Sequence, residues 1–355
     1  MTKQVLLNIS LITFSCFLLV ALIVPIIKKV AIHVNAMDIP DKRKVHKKAI
    51  PRLGGLAIYI GFLFGYLFFM ESNKIMDSIL IGSFIILITG MIDDIKPLPA
   101  KYKIIGQLLA ALVVVFYGDI TLQNMSAFGI YIEFGIFSPI ITIILILACI
   151  NCMNLIDGLD GLAAGIGSIY FLTIGIITIF KLSNVLDYVL CFIMLGSCLG
   201  FLIHNFNPAK IFMGDSGSMF LGFIIGVIAL LGFKNVTLTS FFIPFMVIAI
   251  PCLDTAFAII RRALKKEKIT EPDRFHIHHQ LLNLNFSHKT TVIIILVIDL
   301  LFALASSIYV LVDNNLGYLI YGILLIIVFI FVINTNVIFD FKKEKFNLFK
   351  ILKRH

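Results

Sequence analysis

Eleven apolar runs, each near the length of a bilayer crossing, dominate this sequence: about 5–27, 53–70, 75–92, 102–118, 136–156, 162–180, 185–203, 217–232, 239–260, 290–312 and 315–333. A hydrocarbon core of ~30 Å takes ~20 helical residues to cross. The runs are apolar all round rather than amphipathic, which suits lipid and helix neighbours, not water. They are too long and too little alternating for transmembrane β-strands. Composition agrees, since 60% of the 355 residues are apolar and 14% are charged, against roughly 25% charged in soluble domains. The fold class predicted is all-α: a polytopic membrane helix bundle of about eleven spans, forming one integral-membrane domain over residues 1–355.

Lys and Arg set the orientation. Segments 28–52, 93–103, 157–161, 204–216, 261–289 and 334–355 hold 25 of the 29 basic residues, leaving Lys3, Lys74, Lys181 and Lys234 elsewhere. The positive-inside rule then puts the N-terminus outside and the basic 334–355 tail in the cytoplasm. The first run is expected to remain as a span, because no small-residue cleavage site precedes Lys28-Lys29. A net charge of +9 thus serves topology and attraction to anionic lipid, or a basic rim that collects a phosphorylated substrate. No nucleic-acid partner is expected. The six cysteines fall inside the runs and read as small apolar filler. Ile130-Tyr-Ile-Glu-Phe134 alternates after Phe128-Gly129, which predicts a short external hairpin.

The carboxylates carry the functional signal. Asp93-Asp94 closes the third run, and Asp157 and Asp160 lie in Asn154-Leu-Ile-Asp-Gly-Leu-Asp-Gly161 after the fifth. Asp215 lies in Phe212-Met-Gly-Asp-Ser-Gly-Ser218, where the eighth opens. Each stretch alone also reads as ordinary structure: a solvated helix end, a tight turn, an N-cap. Five carboxylates on one face of one membrane are nevertheless costly unless a cation joins them. Magnesium suits such a set, binding through one or two carboxylates plus substrate phosphates.

Three local expectations follow. Asp157 and Asp160 share a face if the helix continues through them. The helix opening at Gly214-Asp-Ser-Gly217 aims N–H groups at an anion. Pro51-Arg-Leu-Gly-Gly55 enters the second run as a flexible hinge. On the same face, loop 28–52 carries Lys42-Arg43-Lys44, His46, Lys47, Lys48 and Arg52. Loop 261–289 carries Arg261, Arg262, Lys265, Lys266, Lys268, Arg274 and His276-Ile-His-His279. Beside an acidic magnesium cluster, these read as contacts to phosphate or sugar. Asp254, inside the ninth run, is expected to pair with Arg261 two turns on or to make another buried polar contact, and Asp299 has no evident partner. Gly61-x-x-x-Gly65 and Gly222-x-x-x-Gly226 permit close helix packing.

Together these stretches resemble the polyprenyl-phosphate N-acetylhexosamine-1-phosphate transferases. That family combines Asp-Asp after span three, Asn-x-x-Asn-x-x-Asp-Gly-x-Asp-Gly, Met-Gly-Asp-x-Gly-Ser and a late histidine motif. Here they read Asp93-Asp94, Asn151-Cys-Met-Asn-Leu-Ile-Asp-Gly-Leu-Asp-Gly161, Met213-Gly-Asp-Ser-Gly-Ser218 and His276-Ile-His-His279, in order along nearly the whole chain. The His-Ile-His-His form is similar to the branch using UDP-N-acetylglucosamine, the WecA and TagO type. The related MraY type, which makes lipid I of peptidoglycan, usually carries three consecutive histidines.

The resemblance implies that Asp215 ligates magnesium, with manganese an acceptable substitute, and that Asp93 and Asp94 lie by the metal and the lipid phosphate. It implies that Asn154, Asp157 and Asp160 line the nucleotide pocket, with Asn205 and Phe212 nearby. His278 and His279 would contact diphosphate or sugar, and Lys103 would hold phosphate. Ser218, Arg261 and His276 complete the expected substrate-binding set. The implied reaction moves N-acetylglucosamine-1-phosphate from UDP-GlcNAc to undecaprenyl phosphate and releases UMP, at the cytoplasmic face of a bacterial inner membrane. Undecaprenyl phosphate, a UDP-sugar donor, the lipid bilayer and a second copy of the chain are the implied partners. Another UDP-sugar, such as UDP-MurNAc-pentapeptide, is the alternative donor. A cation-coupled secondary transporter is the rival from another class, but its charges belong near the midplane and in both halves.

Overall fold

The computed structural model describes residues 3–40, 49–127, 130–182, 185–232, 242–265, 276–335 and 337. Loop residues 41–48 and 266–275, and nearly all of the basic tail, lie outside the described residues. Among those described, nine helices are long and apolar enough to cross a membrane. In chain order the helices are α1 (Lys3–His33), α2 (Gly54–Phe69), α3 (Lys74–Ile95), α4 (Ala100–Leu112, continued as a π-turn over Val113–Tyr117), α5 (Ser138–Ile156), α6 (Leu162–Ile177) and α7 (Val185–Asn205). There follow α8 (Gly214–Gly232), α9 (Phe242–Val247), α10 (Ala249–Lys265), α11 (Ile277–Asn283), α12 (His288–Leu311) and α13 (Asn314–Asn334).

Two of the eleven expected spans fall short. The second is α2, an apolar helix of only 16 residues. The ninth is broken at Ile248 into α9 and α10. Pro251 is the cause: its ring lacks an N–H and clashes with the carbonyl four residues back, at Val247. In α1, Pro25 frees the Ala21 carbonyl in the same way, and the His204 ring at the end of α7 closes on that oxygen at 2.9 Å. Lipid could not have satisfied it.

Helix α8 sits at the centre, packed by α2, α3 and α5. Its Met219, Phe220, Phe223, Ile224 and Val227 are wholly enclosed. By contrast α1 and α13 present Phe14, Leu22, Leu319 and Ile326 outward, as helices facing lipid should. Both small-residue stripes are used inside the chain. Gly61 and Gly65 abut Ser197 and Ile193 of α7, and Gly222 and Gly226 abut Cys149 and Ile150 of α5. They are therefore not free faces for a second copy. None of the six cysteines forms a disulfide, and all are buried or half-buried among the helices.

The expected hairpin is present as two antiparallel strands, Asn124–Ala127 and Ile130–Glu133. A second, shorter pair joins β1 (Met37–Asp38) to β2 (Ile50–Pro51). The chain alternates along the bundle, so the ends of α3, α5 and α7 and the starts of α4, α6 and α8 meet at one end, opposite the long hairpin.

Candidate active site

At that end lies a cavity of about 250 Å³. Its acidic wall begins with a close approach of backbones. Pro51–Gly55 is not a hinge. The Phe212 N–H donates to Pro51 O at 2.8 Å, Gly54 N–H to Phe212 O at 2.9 Å and Gly55 N–H to Met213 O at 2.8 Å. A Cβ on Gly55 would overlap the Gly217 backbone, so only glycine lets α2 seat against the start of α8. Phe212 and Met213 are thereby fixed in the cavity wall.

Gly214, at φ +72°, turns the chain into α8 directly beneath Asp94. The N–H groups that open α8 face an anion as expected, but that anion is Asp94 itself. Its carboxylate accepts from Asp215 N–H at 2.9 Å, Ser216 N–H at 3.1 Å and Ser216 Oγ at 2.7 Å. This is a helix cap supplied from another helix, favoured by the dipole of α8. Asp93 points its Oδ1 at the Leu98 N–H, 2.7 Å away. Lys103, entering from α4, bridges Asp93 at 2.9 Å and Asp215 at 2.6 Å.

Asp93, Asp94 and Asp215 each offer an oxygen within 4.8 Å of the others. Such hard oxygen donors fit magnesium. Asp94 is already committed to α8 and Asp93 in part to Leu98, so Asp215, which also lines the cavity, has the most freedom to ligate. Lys103 now occupies the space between two of the carboxylates.

The turn after α5 differs from expectation. The helix stops at Ile156, because Asp157 adopts φ −75°, ψ 51°, so Asp157 and Asp160 do not share a helix face. Asp160 is absorbed by structure: its Oδ2 accepts from Asn207 Nδ2 at 2.9 Å and Ala209 N–H at 3.0 Å. Its own N–H donates to His288 Nε2 at 2.9 Å. Asn205 ties the same turn by accepting from Gly161 N–H at 3.0 Å and donating to Ile211 O at 2.9 Å. Asn154 donates to Ser218 Oγ at 2.9 Å. Asp157 is left facing the cavity. Enclosure, and then the Asp215 and Asp94 carboxylates, push its carboxyl up to about 8.

Opposite stand His278 and His279, their ring centroids 4.2 Å apart. Burial, and then His279, press the His278 imidazole down to about 3, so it stays neutral. His276 and Arg261 do not line the cavity with them. His276 Nδ1 is 2.7 Å from Asp254 Oδ2, and Arg261 donates to the Val337 carbonyl. The expected partnership of Asp254 with Arg261 is thus replaced by one with His276.

Of the cavity residues outside the expected motifs, Arg52 is read from sequence only as one of its loop's basic contacts, and Asp38 and His288 escape the sequence reading. Arg52, from the end of β2, reaches to 3.6 Å from Asp38 and 3.7 Å from Asp94. It is the one Lys or Arg among the described residues that lines the cavity. Asp38 arrives by the β1–β2 pairing, which no local pattern announces. His288 had a signal: Ser287 caps α12, and the residue after a cap at this interface belongs to the same face.

A carboxylate cluster braced by Lys103, with Arg52 and a neutral imidazole lining one cavity, suits chemistry on phosphorus; the class is a polytopic membrane phosphotransferase. Known proteins narrow it. The sequence pattern of glycosyl transferase family 4 matches residues 76–233. The chain is 39% identical over 298 residues, 81% of each chain, to the probable undecaprenyl-phosphate N-acetylglucosaminyl 1-phosphate transferase of Bacillus subtilis (strain 168). It is 32% identical to the decaprenyl-phosphate N-acetylglucosaminephosphotransferase of Mycolicibacterium smegmatis, over 76% of this chain and 74% of that one. It is 31% identical to the undecaprenyl-phosphate alpha-N-acetylglucosaminyl 1-phosphate transferase of Escherichia coli (strain K12), over 87% and 85%. The chain belongs to glycosyl transferase family 4, the polyprenyl-phosphate N-acetylhexosamine-1-phosphate transferases.

Proposed function

We propose that the protein transfers N-acetylglucosamine-1-phosphate from UDP-GlcNAc to undecaprenyl phosphate at the cytoplasmic face of a bacterial inner membrane. Products are undecaprenyl-diphospho-GlcNAc and UMP, the first membrane step of an envelope polysaccharide or teichoic acid. The observation that carries this reading is the convergence of Asp215 and Arg52 on one cavity at the basic end of the bundle, with Lys103 paired to Asp215 at 2.6 Å. The names of the relatives support undecaprenyl phosphate as acceptor and N-acetylglucosamine 1-phosphate as the group transferred.

An oxygen of the lipid phosphate forms a bond to the sugar-linked phosphorus, and the bond from that phosphorus to the bridging oxygen of UMP breaks. Asp215, with Asp93 and Asp94 beside it, would hold magnesium, which would supply charge neutralisation on the diphosphate. Lys103 and Arg52 neutralise the phosphates from either flank. Asp157 and Asn154 face the nucleotide, and neutral His278 donates or accepts a hydrogen bond without carrying charge. No strong base is needed, because a phosphate monoester with a second pKa of ~6 is largely dianionic at neutral pH. Asp93, held by Leu98 and Lys103, is placed to orient rather than to deprotonate. The lipid enters sideways between helices, since its chain leaves the bilayer at a cost of ~0.8 kcal/mol per CH₂.

The test is UMP release by purified protein with undecaprenyl phosphate and magnesium, run in parallel with UDP-GlcNAc, UDP-GalNAc and UDP-MurNAc-pentapeptide. Release with UDP-GlcNAc that EDTA abolishes is the expected result. Release only with the pentapeptide moves the protein to the peptidoglycan branch, and none with any donor overturns the reading.

A further inference from the structure

The histidine motif divides in two. His278 and His279 line the cavity, while His276 turns away from it into a buried contact. There the Asp254 carboxylate, 1% exposed, faces two groups at once. Its Oδ2 lies 2.7 Å from His276 Nδ1, and its Oδ1 accepts the Ile277 N–H at 2.7 Å. An ionised carboxylate only accepts, so His276 must carry a proton on Nδ1. Ile277 is the first residue of α11, and His276, its cap residue, makes no side-chain cap bond of its own. Asp254 therefore caps α11 from α10 and locks the ring before it.

This contact matters because His278 lacks an anchor. Its buried Nδ1 has no hydrogen-bond partner among the described residues. The ring is held by shape alone: parallel to His276 within 3° at 5.7 Å, 4.2 Å from His279, and over Gly158, where a Cβ would sit 2.7 Å from its Nε2. Moving α11 moves both cavity histidines.

We propose that Asp254 and His276 form a latch that positions His278 and His279 for the phosphosugar transfer. The first histidine of the motif then serves the last two and does not touch substrate. Asp254 and His276 are positioning residues; the inference rests on the reaction proposed above.

The experiment is a double-mutant cycle on UMP release, pairing Asp254→Asn and Asp254→Ala with His278→Ala, at temperatures where each variant stays folded. Partners that orient a working ligand are worth about 10–100-fold when removed. Asp254→Ala is expected to lower kcat by that factor with the KM for undecaprenyl phosphate unchanged, and Asp254→Asn, which keeps one acceptor, by less. In the His278→Ala background the same changes should cost under about 3-fold, because residues acting through one another are not additive. Equal fold losses in both backgrounds would overturn the latch while leaving the transferase reading intact. Should the wild type release no UMP, hydrogen exchange of the 276–283 peptide decides. Faster exchange in Asp254→Asn supports the latch, and an unchanged rate sinks it.

Discussion

On one side of the cavity, Asp94 accepts three hydrogen bonds from the start of α8, while Lys103 joins Asp93 to Asp215. These groups stand on helices of 13 to 22 residues that pack against the centre of the bundle. On the other side, His278 and His279 ride on a seven-residue helix that packs on α12, with Ile277 and Leu281 in the core, and is capped by the Asp254 carboxylate. A cation cluster must be held rigidly, because its ligand distances decide affinity. The acidic wall is cross-braced by hydrogen bonds and ion pairs, whereas the buried His278 Nδ1 has no hydrogen-bond partner among the described residues.

The largest effect tests the acidic wall. Asp215→Asn is expected to lower turnover by about 10³-fold, the scale of losing a principal charge-stabilising group. Asp93→Asn should cost far less, since Asp93 orients Lys103 and no strong base is required; UMP release at saturating magnesium measures both. Equal losses in folded variants would place a base at Asp93.

Arg52→Ala comes next, raising the KM for UDP-GlcNAc by roughly 10–100-fold, as for a charged hydrogen bond of ~1.5–3 kcal/mol. Inhibition should then no longer distinguish UDP from UMP if, as proposed, Arg52 in the cavity wall meets the second phosphate. A retained preference for UDP would assign that grip to Lys103 alone.

The pH response sharpens the contrast further. Without cation, Asp157 keeps its proton up to about 8 in the fold and only to 3.8 unfolded. The folded state then binds the extra proton, so thermal stability should fall as pH rises across that window. A nearby cation favours the ionised form, so magnesium affinity should rise with pH toward 8, and Asp157→Asn should flatten both slopes. His278, neutral down to about 3, should contribute no limb near 6.5 to the rate profile. The smallest effect belongs to Gly158→Ala, whose methyl meets the His278 ring. Off-rotamer strain of about 1 kcal/mol corresponds to a loss of several-fold in kcat, with cation affinity unchanged.

Much of this was readable beforehand. Length and hydropathy determine that the chain crosses a membrane repeatedly, because no soluble core could cover such runs. The positions of Asp93, Asp94, Asp157 and Asp215 at run ends identify the acidic cluster, because charge inside lipid needs a reason. Periodicity could not tell a helix from a helix that stops: Asp157 and Asp160 look like one face, but glycines let the backbone turn, and Asp160 is consumed by Asn207 and Ala209. Nor could spacing choose between Arg261 and His276 for Asp254, since the winning partner lies across a loop rather than along the helix.

The sequence by itself determined the membrane bundle, the end at which chemistry gathers and the residue types that gather there, because those follow from local hydropathy and charge. The tertiary structure decided which carboxylates stay available for ligands, that Arg52, Asp38 and His288 belong to the cavity, and that His276 does not. Those outcomes depend on which hydrogen-bond donors arrive from other helices, and a buried carboxylate takes whichever donors the packing brings within reach.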